Sequence, residues 1–286
     1  MHIILGGTGK VGSAVARALL QMSEPVTVVT RKAESAIELK AAGATVAVVD
    51  IRDTGSLNEI FRTGKRAFLL NPPADPSTDT DKEERLNVQA IIQALDQSGL
   101  EKVVAASTYG AFAGEACGDL TVLHELEERL RLQPIPTAIN RGAYYMSNWS
   151  GMRDVVRDSG KLPSFFPTNL SLPMVAPDDL GQAAAARLIE PPGEFSITHV
   201  EGPRRYTAQD VADAFSEVFG KEIGIDVIPR DALKDTFKAF GFSDSAADSY
   251  ACMTAAVVEG RTSGPISPER GRTTLQSFIS GNAVGL

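Results

Sequence analysis

Gly6-Gly7-Thr8-Gly9-Lys10-Val11-Gly12 follows the apolar run 2–5 and leads into a helical pattern over 10–21. Gly7-x-Gly9-x-x-Gly12 has the spacing of a dinucleotide-binding turn. In such a turn the first glycines permit a tight bend, and the middle one lets backbone approach a pyrophosphate. The last lets the helix pack closely on the strand. Free N–H groups and the positive dipole end of the helix then face the phosphates. A P-loop is excluded, because position 4, where that motif needs glycine, is Ile4. The stretch therefore predicts cofactor contacts from Gly6, Thr8, Gly9, Lys10, Val11 and Gly12.

Outward from the glycines the first half alternates. Strand-like runs at Val26–Thr30, Thr45–Val49, Ala67–Leu70, Val103–Ala106 and Ile135–Asn140 are separated by helical patterns over Ala33–Ala42, Thr54–Arg62, Asp81–Gln97 and Leu120–Leu132. That rhythm predicts an α/β fold, a doubly wound Rossmann-type parallel sheet covered on both faces. After Arg141 it breaks, and the only tryptophan and two of the five tyrosines crowd into 142–173. Leu172–Val175 is expected to return to the sheet as a strand, with Asp178 or Asp179 capping a helix over Leu180–Ile189. Thr207 and Gly220 bracket a further helix. The expected organisation is a dinucleotide-binding domain over 1–141, with 172–190 returning to it, and a smaller C-terminal α/β lobe over 142–286.

The end of the second strand selects the dinucleotide. NAD sites place an acid there for the ribose hydroxyls, whereas this chain reads Thr30-Arg31-Lys32. Two cations would attract a 2′-phosphate, and Arg31 can meet it with a planar fork. NADP(H) is expected over NAD(H), held also by Lys32, by Asp50 and Ile51 after the third strand, by Asn71 and Pro72 after the fourth, and by Ser107 and Thr108 after the fifth.

A net charge of −8 argues against nucleic-acid binding. No apolar run reaches membrane-spanning length and no signal peptide is read, which leads to an expectation of a cytoplasmic protein without membrane contact. Cys117 and Cys252 read as reduced thiols in that setting, and the three histidines have no metal-ligand spacing.

Dehydrogenases that interconvert alcohols and ketones use Tyr-x-x-x-Lys as proton donor. At that spacing Tyr109, Tyr144, Tyr145, Tyr206 and Tyr250 are followed by Ala113, Asn148, Trp149, Asp210 and Thr254, so the pair is absent. Such a donor contributes roughly 10²–10⁴ in rate. A planar, electron-poor acceptor stacked on a nicotinamide needs mainly positioning. Tyr109, Tyr144, Tyr145 and Trp149 could line its pocket, or they could simply pack the two lobes together. The catalytic residue stays open, with Tyr109 and His124 as candidates.

Together with Thr30-Arg31, Asn140-Arg141-Gly142-Ala143-Tyr144-Tyr145-Met146-Ser147-Asn148, Glu201-Gly202-Pro203 and Arg272-Thr273-Thr274-Leu275-Gln276-Ser277-Phe278, the glycine stretch resembles the NmrA-like group of atypical short-chain dehydrogenase relatives, over nearly the whole chain. Gly6-x-x-Gly9-x-x-Gly12 is the glycine spacing of those relatives. The resemblance implies either an NADPH-dependent quinone or azo-dye reductase, or a non-catalytic NADP(H) redox sensor that binds a protein partner, as a monomer or homodimer. The family commonly carries a lysine in the helix after the fifth strand. Here that helix reads His124-Glu125-Leu126-Glu127-Glu128-Arg129, which counts against lysine-assisted chemistry. A nucleotide-sugar epimerase, suggested by fold analogy alone, is disfavoured by the missing Tyr-x-x-x-Lys pair.

Overall fold

The computed structural model describes residues 1–262 and 264–281; Ser263 and the last five residues of the expected 142–286 lobe lie outside the described residues. Its strands are β1 (His2–Ile4), β2 (Val26–Thr30), β3 (Thr45–Val48), β4 (Arg66–Leu69), β5 (Lys102–Thr108), β6 (Thr137–Gly142), β7 (Tyr144–Tyr145), β8 (Lys161–Ser164), β9 (Leu172–Val175), β10 (Ser196–Glu201), β11 (Arg205–Tyr206), β12 (Gly224–Val227) and β13 (Glu269–Arg270). The helices are α1 (Lys10–Gln21), α2 (Ile37–Ala41), α3 (Thr54–Arg62), α4 (Thr80–Leu95), α5 (Asp119–Arg131), α6 (Ser147–Ser150), α7 (Arg153–Ser159), α8 (Pro177–Ile189), α9 (Ala208–Phe219), α10 (Leu233–Ala239), α11 (Asp244–Val258) and α12 (Leu275–Gly281).

An eight-stranded sheet runs β13-β10-β6-β5-β4-β1-β2-β3, with every pairing parallel. Alternate side chains divide the core. Ile4, Val28, Phe68 and Val104 face α1 and α8 on one side, while Ile3, Val29, Leu69 and Val103 face α3, α4 and α5 on the other. Burial on both faces explains why these strands read as nearly continuous apolar runs. The chain reverses direction across the sheet between β1 and β4, the topological switch point where ligands bind such sheets.

Three local expectations change. Leu172–Val175 does form a strand, but β9 pairs with β7 and β11 in a separate three-stranded sheet. The place beside β6 is taken by β10, in register from Ser196↔Ala138 to Val200↔Gly142. Helix α8 starts at Pro177 with Ala176 as its cap, because proline's fixed φ suits the first helical turn. Asp178 instead reaches Arg17 on α1 at 3.1 Å, and Asp179 accepts from the backbone N–H and hydroxyl of Thr273, both at 3.0 Å. The helix expected over Ala33–Ala42 is a 3₁₀ turn, Ala33–Ala36, followed by the short α2. At the junction Ala36 has ψ 10°, outside the α range.

Cys117 and Cys252 are joined in a disulfide, correcting the reading of free thiols. They are 135 residues apart, so local spacing carries no sign of the pairing. Packing of α11 against the turn before α5 brings their Cα atoms within 5.2 Å. No helix among the described residues is long and apolar enough to cross a membrane.

Candidate functional site

Two cavities open along the carboxyl edge of the large sheet. The first is a groove of about 890 Å³ over β1–β4. Gly6, Thr8, Gly9, Arg31, Lys32, Asp50, Ile51 and Pro72 line it, eight of the residues expected from sequence to hold a cofactor. The turn that shapes it is set by glycine. Gly6 has φ +61°, in the left-handed region, and Gly7 lies where a Cβ would meet Val28 Cβ at 2.7 Å.

The other expected cofactor residues sit around this groove. Gly12 packs against the Gly6 carbonyl beneath the turn. Lys10 Nζ donates to the Ser147 carbonyl at 3.5 Å, tying the turn to α6. Val11 faces a small gap shared with Ser107 and Tyr145. Asn71 has both side-chain amide atoms buried without a partner. Asp50 Oδ1 accepts the Arg52 backbone N–H at 2.9 Å. Ser107 and Thr108 line the second cavity instead of the groove.

Sequence reasoning missed the part of the groove made by Pro73, Ala74, Asp75, Pro76 and Thr78 with Arg52, Glu83 and Asn87. Arg52 is held there by Glu83 at 2.7 Å and Asn87 at 2.8 Å. These partners sit on α4, more than thirty residues along, a distance over which no motif signals.

The second cavity, about 430 Å³, lies beside β5 and β7 under α10 and α11. Tyr109, Tyr144, Tyr145 and Trp149, the four expected acceptor residues, all line it. They pack as well: Tyr144 is 5.9 Å from Trp149 and 5.2 Å edge-on from Phe166, centroid to centroid. Pocket and packing, opposed alternatives in sequence, are met by the same rings. Phe165, Phe166, Phe237 and Tyr250 complete the aromatic lining, and Asp119 contributes a carboxylate.

The two catalytic candidates separate. His124 lies on α5 but is not among the residues lining the cavity, and its buried Nδ1 has no partner. Tyr109 lines the cavity, with its ring edge-on to His199 at 5.0 Å. Burial first, and then the nearby Glu201 charge, push the Tyr109 phenol well above its usual range, so it stays protonated. Burial likewise pushes Tyr144 up to about 12.

Behind the β5 end lies a buried ion pair. Arg141 clasps Glu127 with two hydrogen bonds, 2.9 and 2.6 Å, and Ser107 Oγ bonds the same carboxylate. Glu127 is thereby paired and Ser107 is fixed at the cavity wall. On α4 burial raises the Glu84 carboxyl to about 8, and the nearby Asp119 and Asp81 charges add to the effect.

Residues 2–275 match the NmrA-like family. The chain belongs to that family. The NmrA-like chain is 23% identical over 249 residues to the NAD(P)H azoreductase of Xenophilus azovorans, covering 87% of this chain and 84% of that relative. Its fold is similar to that of Citrobacter sp. triphenylmethane reductase complexed with NADP(H), with a TM-score of 0.81 and 20% identity over 99% of this chain and 100% of the other. It is also similar to Escherichia coli NADPH-dependent quinone oxidoreductase complexed with NADPH, with a TM-score of 0.78 and 20% identity over 98% and 99%. The likeness to these two solved structures is one of fold: the doubly wound α/β arrangement.

Proposed function

We propose that this NmrA-like protein is an NADPH-dependent reductase of a planar, electron-poor organic acceptor. The observation that carries the reading is the adjacency of a glycine-turned groove and an aromatic cavity on one edge of the sheet. The names of the azoreductase, dye-reductase and quinone-reductase relatives support it.

The groove residues fit a phosphorylated dinucleotide. Between the groove-lining Leu70 and Pro72, just past β4, the Asn71 amide is buried and without a partner. Gly9 caps α1 without a side-chain hydrogen bond, leaving first-turn amides for an anion. Arg31 and Lys32 are exposed on the groove wall, and no ion pair among the described residues engages either. Arg31 and Lys32 would take the 2′-phosphate, and the turn from Gly6 to Gly12 the pyrophosphate.

When bound, the cofactor supplies a hydride. The protein's own part is placement. Ser107, fixed by Glu127 and Arg141, and Thr108 border the acceptor cavity at the end of β5. Tyr144, Tyr145 and Trp149 supply flat walls that orient a ring and exclude water. Tyr109 keeps its proton and lines the cavity with its ring edge-on to His199.

The test is the decay of NADPH absorbance with purified protein and a panel of quinones and azo dyes, with NADPH affinity measured separately by fluorescence. Saturable turnover is expected. Tight NADPH binding with no turnover on any acceptor would overturn the reductase and favour the sensing alternative.

A further inference from the structure

Two of the elements that line the aromatic cavity are joined by a covalent bond. On α11, Cys252 lies between Tyr250 and Met253; its partner Cys117 lies three residues before Leu120, at the turn that opens α5. Tyr250, Met253 and Leu120 all line the cavity.

The part of the chain held by this bond packs largely on itself. Helices α10 and α11 share a small apolar cluster, Leu233, Phe237 and Ala247 with Phe242 and Tyr250, separate from the two clusters of the large sheet. Lys234 on α10 pairs with Asp244 and Asp248 on α11 at 3.1 and 2.8 Å, and Lys238 pairs with Asp244 at 2.6 Å. The join from α11 to the α5 turn is smaller. Its buried members are Cys117, Leu120 and Ala256, with Phe112, Cys252 and Met253 half-buried around them. Regions with few buried apolar contacts are the ones that open locally, so a join this small depends on the bond inside it.

The two sulfurs are not equally enclosed. Cys117 is buried and Cys252 half-buried, so an incoming thiolate reaches the bond from the Cys252 side. Accessible disulfides are the labile ones. The other end of α11 is held differently. Ser243, its cap, donates its backbone N–H to the Pro76 carbonyl at 2.9 Å and its hydroxyl to the Thr78 carbonyl at 2.6 Å. Pro76 and Thr78 line the cofactor groove. This tie is nine residues from Cys252, roughly 14 Å along the helix.

We propose that Cys117–Cys252 is a reversible thiol–disulfide site for a dithiol reductant, and that its state sets how firmly the α10–α11 pair closes the acceptor cavity. A thiolate of the reductant attacks the Cys252 sulfur, the S–S bond breaks, and Cys117 leaves as a thiolate that takes up a proton. The reductant's second thiol then displaces Cys252, which takes up the second proton. The protein gains two electrons and two protons, and the dithiol becomes a disulfide. With the bond intact, Leu120, Tyr250 and Met253 are fixed relative to one another. With it open, α11 loosens over the cavity while Ser243 keeps its place on the groove. Only the consequence for turnover rests on the reductase reading.

The chain's single tryptophan, Trp149, lines the cavity and is 3% exposed, so acrylamide quenching of its fluorescence reports opening without cofactor or acceptor. The samples are oxidised protein, protein reduced under native conditions with dithiothreitol, and the Cys117→Ser, Cys252→Ser double variant. Alkylation read by mass is expected to find no reactive cysteine in the oxidised protein and both in the reduced one. The Stern–Volmer slope is expected to rise at least about twofold on reduction and to return on reoxidation. In the double variant it should be high and indifferent to reductant. Far-UV circular dichroism and NADPH affinity should hold steady throughout. Equal slopes in oxidised and reduced protein would overturn the proposal, as would a bond that yields to dithiothreitol only in denaturant. A slope that rises together with loss of circular dichroism or of NADPH binding would also overturn it, since the bond would then be a structural clamp alone. If the double variant does not fold, the reduced unmodified protein decides. Turnover is a separate readout. The acceptor KM should be several-fold higher in the reduced protein, and an unchanged KM would sever the bond's state from the cavity. Absence of NADPH oxidation in both states sinks the reductase reading and leaves the quenching result to decide the switch.

Discussion

Gly12 and the Gly6 carbonyl are so close that a Cβ on Gly12 would stand 2.2 Å from the Gly6 oxygen. This contact presses the first turn of α1 against the turn that leaves β1. Backbone meets backbone, so no side chain can swing away to make room. Gly12→Ala is expected to cost about 3 kcal/mol of stability or more, and to weaken NADPH binding in whatever fraction folds. Chemical denaturation and NADPH fluorescence titration check both. A variant with unchanged stability and affinity would mean that the turn tolerates the shift and that its shape is not what holds the phosphates.

Arg31 tests which dinucleotide the groove prefers. It lies on the groove wall at the end of β2, where an acid would serve NAD. A charge-assisted hydrogen bond to a phosphate is worth about 1.5–3 kcal/mol, or roughly 10–100-fold in affinity. Arg31→Ala should lose about that much for NADPH and little for NADH. Equal losses for the two would remove Arg31 from 2′-phosphate recognition.

The aromatic wall makes a different prediction. Tyr144 touches both the cavity and the rings of Trp149 and Phe166. Tyr144→Leu keeps apolar volume but removes the flat face. The acceptor KM should rise several-fold while NADPH affinity is retained. If NADPH binding or folding collapses instead, the ring's role is packing between the lobes.

The groove was legible in sequence because its residues lie at strand ends within one rhythm, where local pattern and site coincide. Gly6, Thr8, Gly9, Arg31, Lys32, Asp50, Ile51 and Pro72 all line it. The acceptor cavity was legible only in part. Its four expected aromatics are close in sequence, but Phe237 and Tyr250 arrive on α10 and α11 from far along the chain. Asp119, which also lines the cavity, gave no signal, since an acid in the first turn of a helix is ordinary. The disulfide and the placement of β9 in a separate sheet are likewise products of long-range packing.

The Cys117–Cys252 bond clamps α11 to the turn before α5, and their sequence neighbours Leu120, Met253 and Thr254 line the acceptor cavity. Closing a loop of 135 residues restricts the unfolded chain, an effect that typically stabilises by about 2–4 kcal/mol. Reductant should lower the Tm of the unmodified protein and leave that of a Cys117→Ser, Cys252→Ser double variant unchanged. A Tm insensitive to reductant in both would show that the bond contributes nothing to stability.

Glu84 makes stability depend on pH in a direction opposite to an ordinary salt-bridged carboxylate. It is buried on α4, and burial first, then Asp119 and Asp81, raise its pKa from 4.5 to about 8. Below the unfolded value both states are protonated and the group costs nothing. As the pH climbs past 4.5 the unfolded chain releases its proton while the folded chain retains it until about 8. Stability therefore falls across that window and the full penalty stands above it. Glu84→Gln removes the ionisation and keeps an oxygen to accept the Ala74 N–H. The variant should match the unmodified protein near pH 4 and exceed it near pH 9 by on the order of 2–4 kcal/mol. Urea denaturation at both pH values decides it: a difference of the same size at each would assign the effect to packing, whereas one confined to alkaline pH places the cost in the buried charge.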